Sequence, residues 1–146
     1  MNGERWNGIF NNYIDEKLLF KGEYKDGKIW NGKGYKFYSN IIEYEIINGN
    51  GKIKEYIGFN LVYEGDYKNG EKTGKGKQYI VGTLIYEGGF LNGKKHGKGI
   101  EYFKNGQTRF KGEYKEDMQW EGKGYNPFGE EIIMLMTSIL NPSMPF

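Results

Sequence analysis

The sequence predicts an all-β protein: tandem β-hairpins laid side by side in one elongated, twisted antiparallel meander. Three observations carry that expectation. The pattern aromatic, any residue, glycine, any residue, aromatic occurs four times, at Phe20/Gly22/Tyr24, Tyr63/Gly65/Tyr67, Tyr86/Gly88/Phe90 and Phe110/Gly112/Tyr114. A Gly-Lys-Gly follows each copy about ten residues on, at residues 32–34, 74–76, 97–99 and 122–124. Adjacent copies start 23 and 24 residues apart, and the one larger gap, 43 residues from Phe20 to Tyr63, holds a shortened unit. A fixed period in this range specifies a stacked array in which each unit contacts its neighbours.

Taken in order, residues 2–8 align without gaps on residues 26–32, so the chain starts in the middle of a hairpin. Its first strand is missing, which leaves an edge able to pair with another chain. Either a longer array begins earlier, or a partner completes a native edge. The first full unit runs from Phe20 through an Asp26-Gly27 turn to a return strand carrying Trp30, Tyr35, Phe37 and Tyr38. Between residues 40 and 61 the ring-glycine half is absent, so a plainer strand is expected there, with any slot made by that motif interrupted.

Residues 63–83 are the clearest unit. Tyr63, Gly65 and Tyr67 are two apart and share one face of a strand, while Glu64 and Asp66 take the other. The glycine between two rings leaves a slot in which a ring from a neighbouring strand can lie on the backbone. Asn69-Gly70 then specifies a tight turn, because both positions tolerate positive φ. Asn92-Gly93 does the same in the next unit, whereas Glu116-Asp117-Met118 stands in that place in the last. Second turns are expected at Gly82 and at Asn105-Gly106. Two strands per unit at roughly 4.8 Å spacing give a ribbon about 50 Å long for five units.

Residues 1–128 form this array, and residues 129–146 leave it. From Glu130 to Leu140 the spacing of Ile132, Leu135, Met136, Ile139 and Leu140 predicts a short helix with an acidic start. It would cap the open end of the sheet or dock on a partner.

Residues 86–99, Tyr-Glu-Gly-Gly-Phe-Leu-Asn-Gly-Lys-Lys-His-Gly-Lys-Gly, resemble the MORN repeat. In that pattern an aromatic-glycine strand leads through Asn-Gly to a His-Gly-x-Gly return. The resemblance covers nearly all of residues 2–126. Two units use Trp-x-Gly-Lys-Gly instead, at Trp30 and Trp120, one residue longer than the His96 version. MORN arrays occur in cytoskeletal, ciliary and membrane-junction proteins, often as dimers or assembly modules, and the family's name points to membranes. The resemblance thus implies a structural role.

Composition narrows the function from another side. The chain has 146 residues, a net charge of +2 and no cysteine, so it offers neither a disulfide framework nor a thiolate. Net charge this small does not call for a nucleic-acid partner. No signal-like leader is visible and no run of 18 apolar residues occurs, so an intracellular, cytoplasmic or cytoskeleton- or membrane-associated location is expected. His96 is the one histidine, and without a placed nucleophile or second ligand it supports neither catalysis nor a metal site. The Gly-Lys-Gly motifs lack the spacing of a phosphate loop. No cofactor is expected, and the reading is not that of an enzyme.

The expected function is a non-catalytic scaffold that binds proteins along its repeat array, within a larger assembly or oligomer. Tyr24, Trp30, Tyr67, Phe90, Tyr114 and Trp120 are the candidate partner-binding aromatics, against the plainer expectation that most rings of the ring-glycine-ring motifs stack in the core. Self-association through the N-terminal edge or the C-terminal segment is a further expectation. The alternative is a peripheral module on anionic phospholipid, with Lys68, Lys72, Lys75, Lys94, Lys95 and Lys98 as contacts. Glu64, Asp66, Glu71 and Glu87 are interleaved with them and offset part of that attraction. Residues 63–109 carry nine Lys/Arg against five Asp/Glu, and residues 110–146 three against six, so one end of the elongated molecule is expected to be basic and the other acidic.

Overall fold

In the computed structural model, which describes residues 7–133, the chain forms one twelve-stranded sheet. The strands are β1 (Gly8–Ile14), β2 (Lys17–Lys25), β3 (Lys28–Tyr35), β4 (Ile42–Ile47), β5 (Asn50–Ile57) and β6 (Asn60–Lys68). They continue as β7 (Glu71–Ile80), β8 (Thr83–Leu91), β9 (Lys94–Tyr102), β10 (Thr108–Lys115), β11 (Met118–Tyr125) and β12 (Glu131–Ile132). Each pairs antiparallel with its sequence neighbours, in the order β1 to β12, which is the meander that the repeats predict.

Turn chemistry sets the register. Along one edge of the sheet, the residues at 26–27, 48–49, 69–70, 92–93 and 116–117 all have positive φ at both positions. That is the backbone of the two-residue turn whose twist matches the strands. These turns are also joined to one another. The Gly49 N–H donates to the Trp30 carbonyl (2.7 Å), Gly70 to Gly49 (2.9 Å), Gly93 to Lys72 (3.0 Å) and Asp117 to Lys95 (3.0 Å).

The aromatic core lies on one face. The slot between the two rings of each motif is filled by the first ring of that same motif, not by one from a neighbouring strand. Phe20 lies over Gly22 and its cross-strand partner Gly32, Tyr63 over Gly65 and Gly76, Tyr86 over Gly88 and Gly99, and Phe110 over Gly112 and Gly122. A ring leaning along its own strand needs no partner chain to place it, only bare backbone ahead of it. The rings then meet edge to face in an unbroken ladder: Tyr67 on Tyr63 at 5.9 Å, Tyr63 on Phe90 at 5.3 Å, Phe90 on Tyr86 at 5.4 Å, Tyr86 on Tyr114 at 5.1 Å and Tyr114 on Phe110 at 5.4 Å. T-shaped pairs set a ring's positive edge against a negative face. All six rings are buried.

The Gly-Lys-Gly motifs sit differently from unit to unit. In β3 and β11 its first glycine, Gly32 or Gly122, lies under the ring; in β7 and β9 the second does, Gly76 or Gly99. The spare residue is taken up by a wider bulge at Gly74 and Gly97, both at positive φ. The C-terminal helix does not begin where the spacing predicts: Ile132 and Glu131 pair with Gly124 and Tyr125 as strand β12. The remainder of that predicted helix, and residues 2–6 of the predicted half-hairpin, lie outside the described residues.

The shortened unit is where regularity fails. β4 and β5 pair at only two positions, Ile46 with Gly51 and Ile47 with Asn50. Beyond them the hairpin is tied by a Lys54–Glu43 ion pair at 2.6 Å. Tyr44 stands where other units have the covered glycine, and it lies over Gly34 of β3 instead.

Candidate functional site: a charged groove opposite the ring ladder

Because side chains alternate along a strand, the residues between the ladder positions face the other way. There they line a groove of about 1730 Å³ that runs from Glu43 on β4 to Gly122 on β11. Across β5 to β8 one row of its charges alternates in sign. Lys54, Glu64, Lys77 and Glu87 are successive cross-strand neighbours, each directly opposite the next.

Tyrosines hold two of the carboxylates in place. The Tyr79 hydroxyl donates to Glu64 and the Tyr102 hydroxyl to Glu87, one repeat apart. Burial and the facing carboxylate push the Tyr102 hydroxyl up to about 12, so it stays a donor at neutral pH. Asp66 accepts the backbone N–H of Lys75 at 3.0 Å, which shapes the wide bulge, and Lys52 lies 3.8 Å from its other oxygen. The groove is therefore highly charged yet close to neutral, a surface for matching another pattern of charges.

The ladder face holds a second kind of charge. Lys95 lies 4.5 Å from the Tyr86 ring centre and 5.6 Å from that of Tyr114, and it pairs with Glu101 at 2.8 Å. Burial works to raise the Glu101 carboxyl, but the Lys95 ammonium and the Gln119 amide outweigh it and hold the carboxyl below its usual range. Lys72 likewise lies 4.3 Å from the Tyr63 ring centre and 3.0 Å from Glu55.

These positions sort the residues singled out from sequence. Tyr67, Phe90 and Tyr114 are core rings, 9%, 4% and 2% exposed. Tyr24 packs half-buried against the core. Trp30 and Trp120 are half-buried beneath Lys25 and Lys115, at 4.8 Å and 4.7 Å from the ring centres. The six aromatics thus form no common exposed surface. The lysines are also divided. Lys72 and Lys95 are engaged on the ladder face, Lys75 and Lys98 line the groove, and Lys68 and Lys94 flank the turns.

Sequence reasoning did not find the carboxylates Glu55 and Glu101 under the rings, or the Glu64–Tyr79 and Glu87–Tyr102 bonds. A signal for the last two existed: Tyr-Glu-Gly recurs with a tyrosine fifteen residues after its glutamate in both units. Among the described residues no group of three or more acidic, histidine or cysteine side chains is arranged to hold a metal ion. No helix there is long and apolar enough to cross a membrane.

The two units with the wide bulge, the complete ring ladder and the Glu–Tyr bond are also those that a family model recognises: the MORN repeat model matches residues 63–81 and 86–108. Those two units are MORN repeats. No curated protein matches it. The MORN units lie at the middle of the sheet, and the groove is deepest in repetition there, with Glu64, Lys77 and Glu87 all inside them. β2–β3 and β10–β11 repeat the ring-over-glycine geometry with Trp30 and Trp120 in the return strand.

Proposed function

We propose that this MORN array is a non-catalytic intracellular scaffold that holds another protein along its charged groove. The supporting observation is the groove itself, about 1730 Å³, with the alternating row Lys54, Glu64, Lys77 and Glu87 across β5 to β8. Repetition also argues against acid–base chemistry. Glu64 and Glu87 each accept a tyrosine hydroxyl in the same setting, whereas an acid and a base need unlike surroundings. Among the described residues β1 is paired on one side only, to β2, and that edge is a further surface for self-association within an assembly.

The test is proximity labelling in cells with the wild-type chain and a Lys77→Glu/Glu87→Lys swap, which keeps net charge and breaks the alternation. The scaffold reading expects a set of labelled proteins lost in the swap while the melting temperature is kept. An identical set would sink it. Four exposed lysines, Lys68, Lys75, Lys94 and Lys98, keep anionic phospholipid as a second reading. Co-sedimentation with phosphatidylserine vesicles that survives physiological salt would favour it; loss with salt would not.

A further inference from the structure

Successive turns of a meander fall on opposite edges of its sheet, and here the two edges differ in kind. On one edge the turns at 26–27, 48–49, 69–70 and 92–93 are all Asp-Gly or Asn-Gly. On the other, three neighbouring tips lie at 36–41, 57–60 and 80–83. They carry Tyr38, Ile41, Ile57, Phe59, Ile80 and Val81, each at least half exposed, and one charged residue, Lys36. Rings fix part of this patch in shape: Phe37 and Tyr38 of the first tip meet Phe59 of the second at 5.5 Å and 6.4 Å.

Two of these side chains reach water only through a strained backbone. Val81 has φ +46° before Gly82, the place that Asn or Asp holds in the four turns of the other edge, and Tyr38 has φ +55°. Left-handed backbone disfavours a β-branched or bulky residue, and such strain gathers at functional positions. An asparagine would relieve the strain and remove the exposed apolar surface together. The chain keeps the apolar residues, which is understandable if something covers them.

We propose that the cover is a second copy of this chain, docked tip to tip about a two-fold axis near Phe59. Such a contact sets residues near the axis against their own copies, so charges there would meet like charges; the Phe59 tip, residues 57–60, has none. The six side chains expose on the order of 700 Å², close to the roughly 800 Å² that one side of a stable interface buries. An anionic bilayer would ask for a basic collar, whereas the adjoining tips bring Asp15 and Glu16 beside Lys17, and Lys104. None of the six residues lines the groove. The dimer would serve the assembly part of the scaffold reading, yet it stands whether or not the groove holds a partner.

The test is sedimentation velocity on the whole chain over a range of concentrations, which is expected to show a reversible monomer–dimer equilibrium. Phe59→Asp should weaken the dimer at least about tenfold with native Tyr63 and Tyr86 NMR signals. Val81→Asn should weaken it about tenfold while raising the melting temperature of the dilute monomer, two effects that a purely structural role would not separate. Ile9→Lys, on the β1 edge, should leave it unchanged. A chain that is monomeric at every concentration would overturn the proposal. So would a dimer that survives Phe59→Asp, or one lost with Ile9→Lys, which would move the contact to β1. Phosphatidylcholine vesicles that bind a monomeric wild-type chain but not Phe59→Asp would make the cover a bilayer instead.

Discussion

At the scale of single residues, position under a ring and position at a turn tip make very different demands on the same amino acid. A Cβ at Gly99 would lie 2.6 Å from Cε2 of Tyr86, a side chain that is fully buried. Gly99→Ala is therefore expected to destabilise by about 1–3 kcal/mol through overpacking alone. At Gly106, φ is +84° and nothing lies within 4 Å, so Gly106→Ala costs only the backbone term, about 1 kcal/mol. Urea unfolding of the two variants checks the order, and a Gly106→Ala loss equal to that of Gly99→Ala would contradict the account. Val81 is the converse case. It has φ +46° at 78% exposure, a conformation that suits asparagine and strains a β-branched side chain. Val81→Asn is expected to stabilise by about 1 kcal/mol, read as a rise in melting temperature.

At the scale of elements, the ladder and the shortened hairpin set the extremes of stability. β6 to β9 combine long registers with buried rings, while β4–β5 has two paired positions. Amides of residues 43–45 and 52–54 are therefore expected to exchange with solvent faster than those of β7 and β8. Hydrogen exchange measured residue by residue decides this; equal protection in the two hairpins would refute it. The sequence announced the weak unit, because the ring-glycine motif is visibly absent between residues 40 and 61. It did not announce where the ring went. Tyr44 occupies the glycine position, and only the pairing of β3 with β4 reveals that its ring then covers Gly34.

At the scale of the whole molecule, pH acts through the ladder face from both sides. Glu101 is held below its usual carboxyl value by Lys95 and Gln119 despite burial. A depressed carboxyl contributes stability above its unfolded value, and that contribution fades as pH falls through the folded one. Glu101→Gln should therefore flatten the stability slope from about pH 5 to pH 3. Tyrosines act in the opposite sense. Burial first, then the Glu101 and Asp117 charges, push the Tyr86 hydroxyl up to about 12, and burial raises Tyr63, Tyr67 and Tyr114 as well. A raised phenol costs nothing below the unfolded value, and stability drops as pH rises beyond about 10. Denaturation midpoints against pH should thus fall at both extremes, and Tyr86→Phe should lessen the alkaline fall.

The sequence by itself determined the all-β meander, the Asn-Gly and Asp-Gly turns and the MORN units, because those depend on local chemistry: period-two alternation, positive-φ residues and a fixed repeat. It also favoured core stacking for the rings of the repeated ring-glycine-ring motif, and seven of those eight rings are buried. Tertiary structure decided the rest. Which glycine of Gly-Lys-Gly lies under a ring depends on bulge width, and a bulge is a property of two strands. Likewise Lys72 and Lys95 read as surface charge in a one-dimensional pattern, yet they lie on rings and carboxylates that cross-strand pairing brings to them. The groove is absent from any single unit. It arises when adjacent hairpins align Lys54, Glu64, Lys77 and Glu87 across four strands, a distance that hydrogen-bonded register spans and sequence proximity does not.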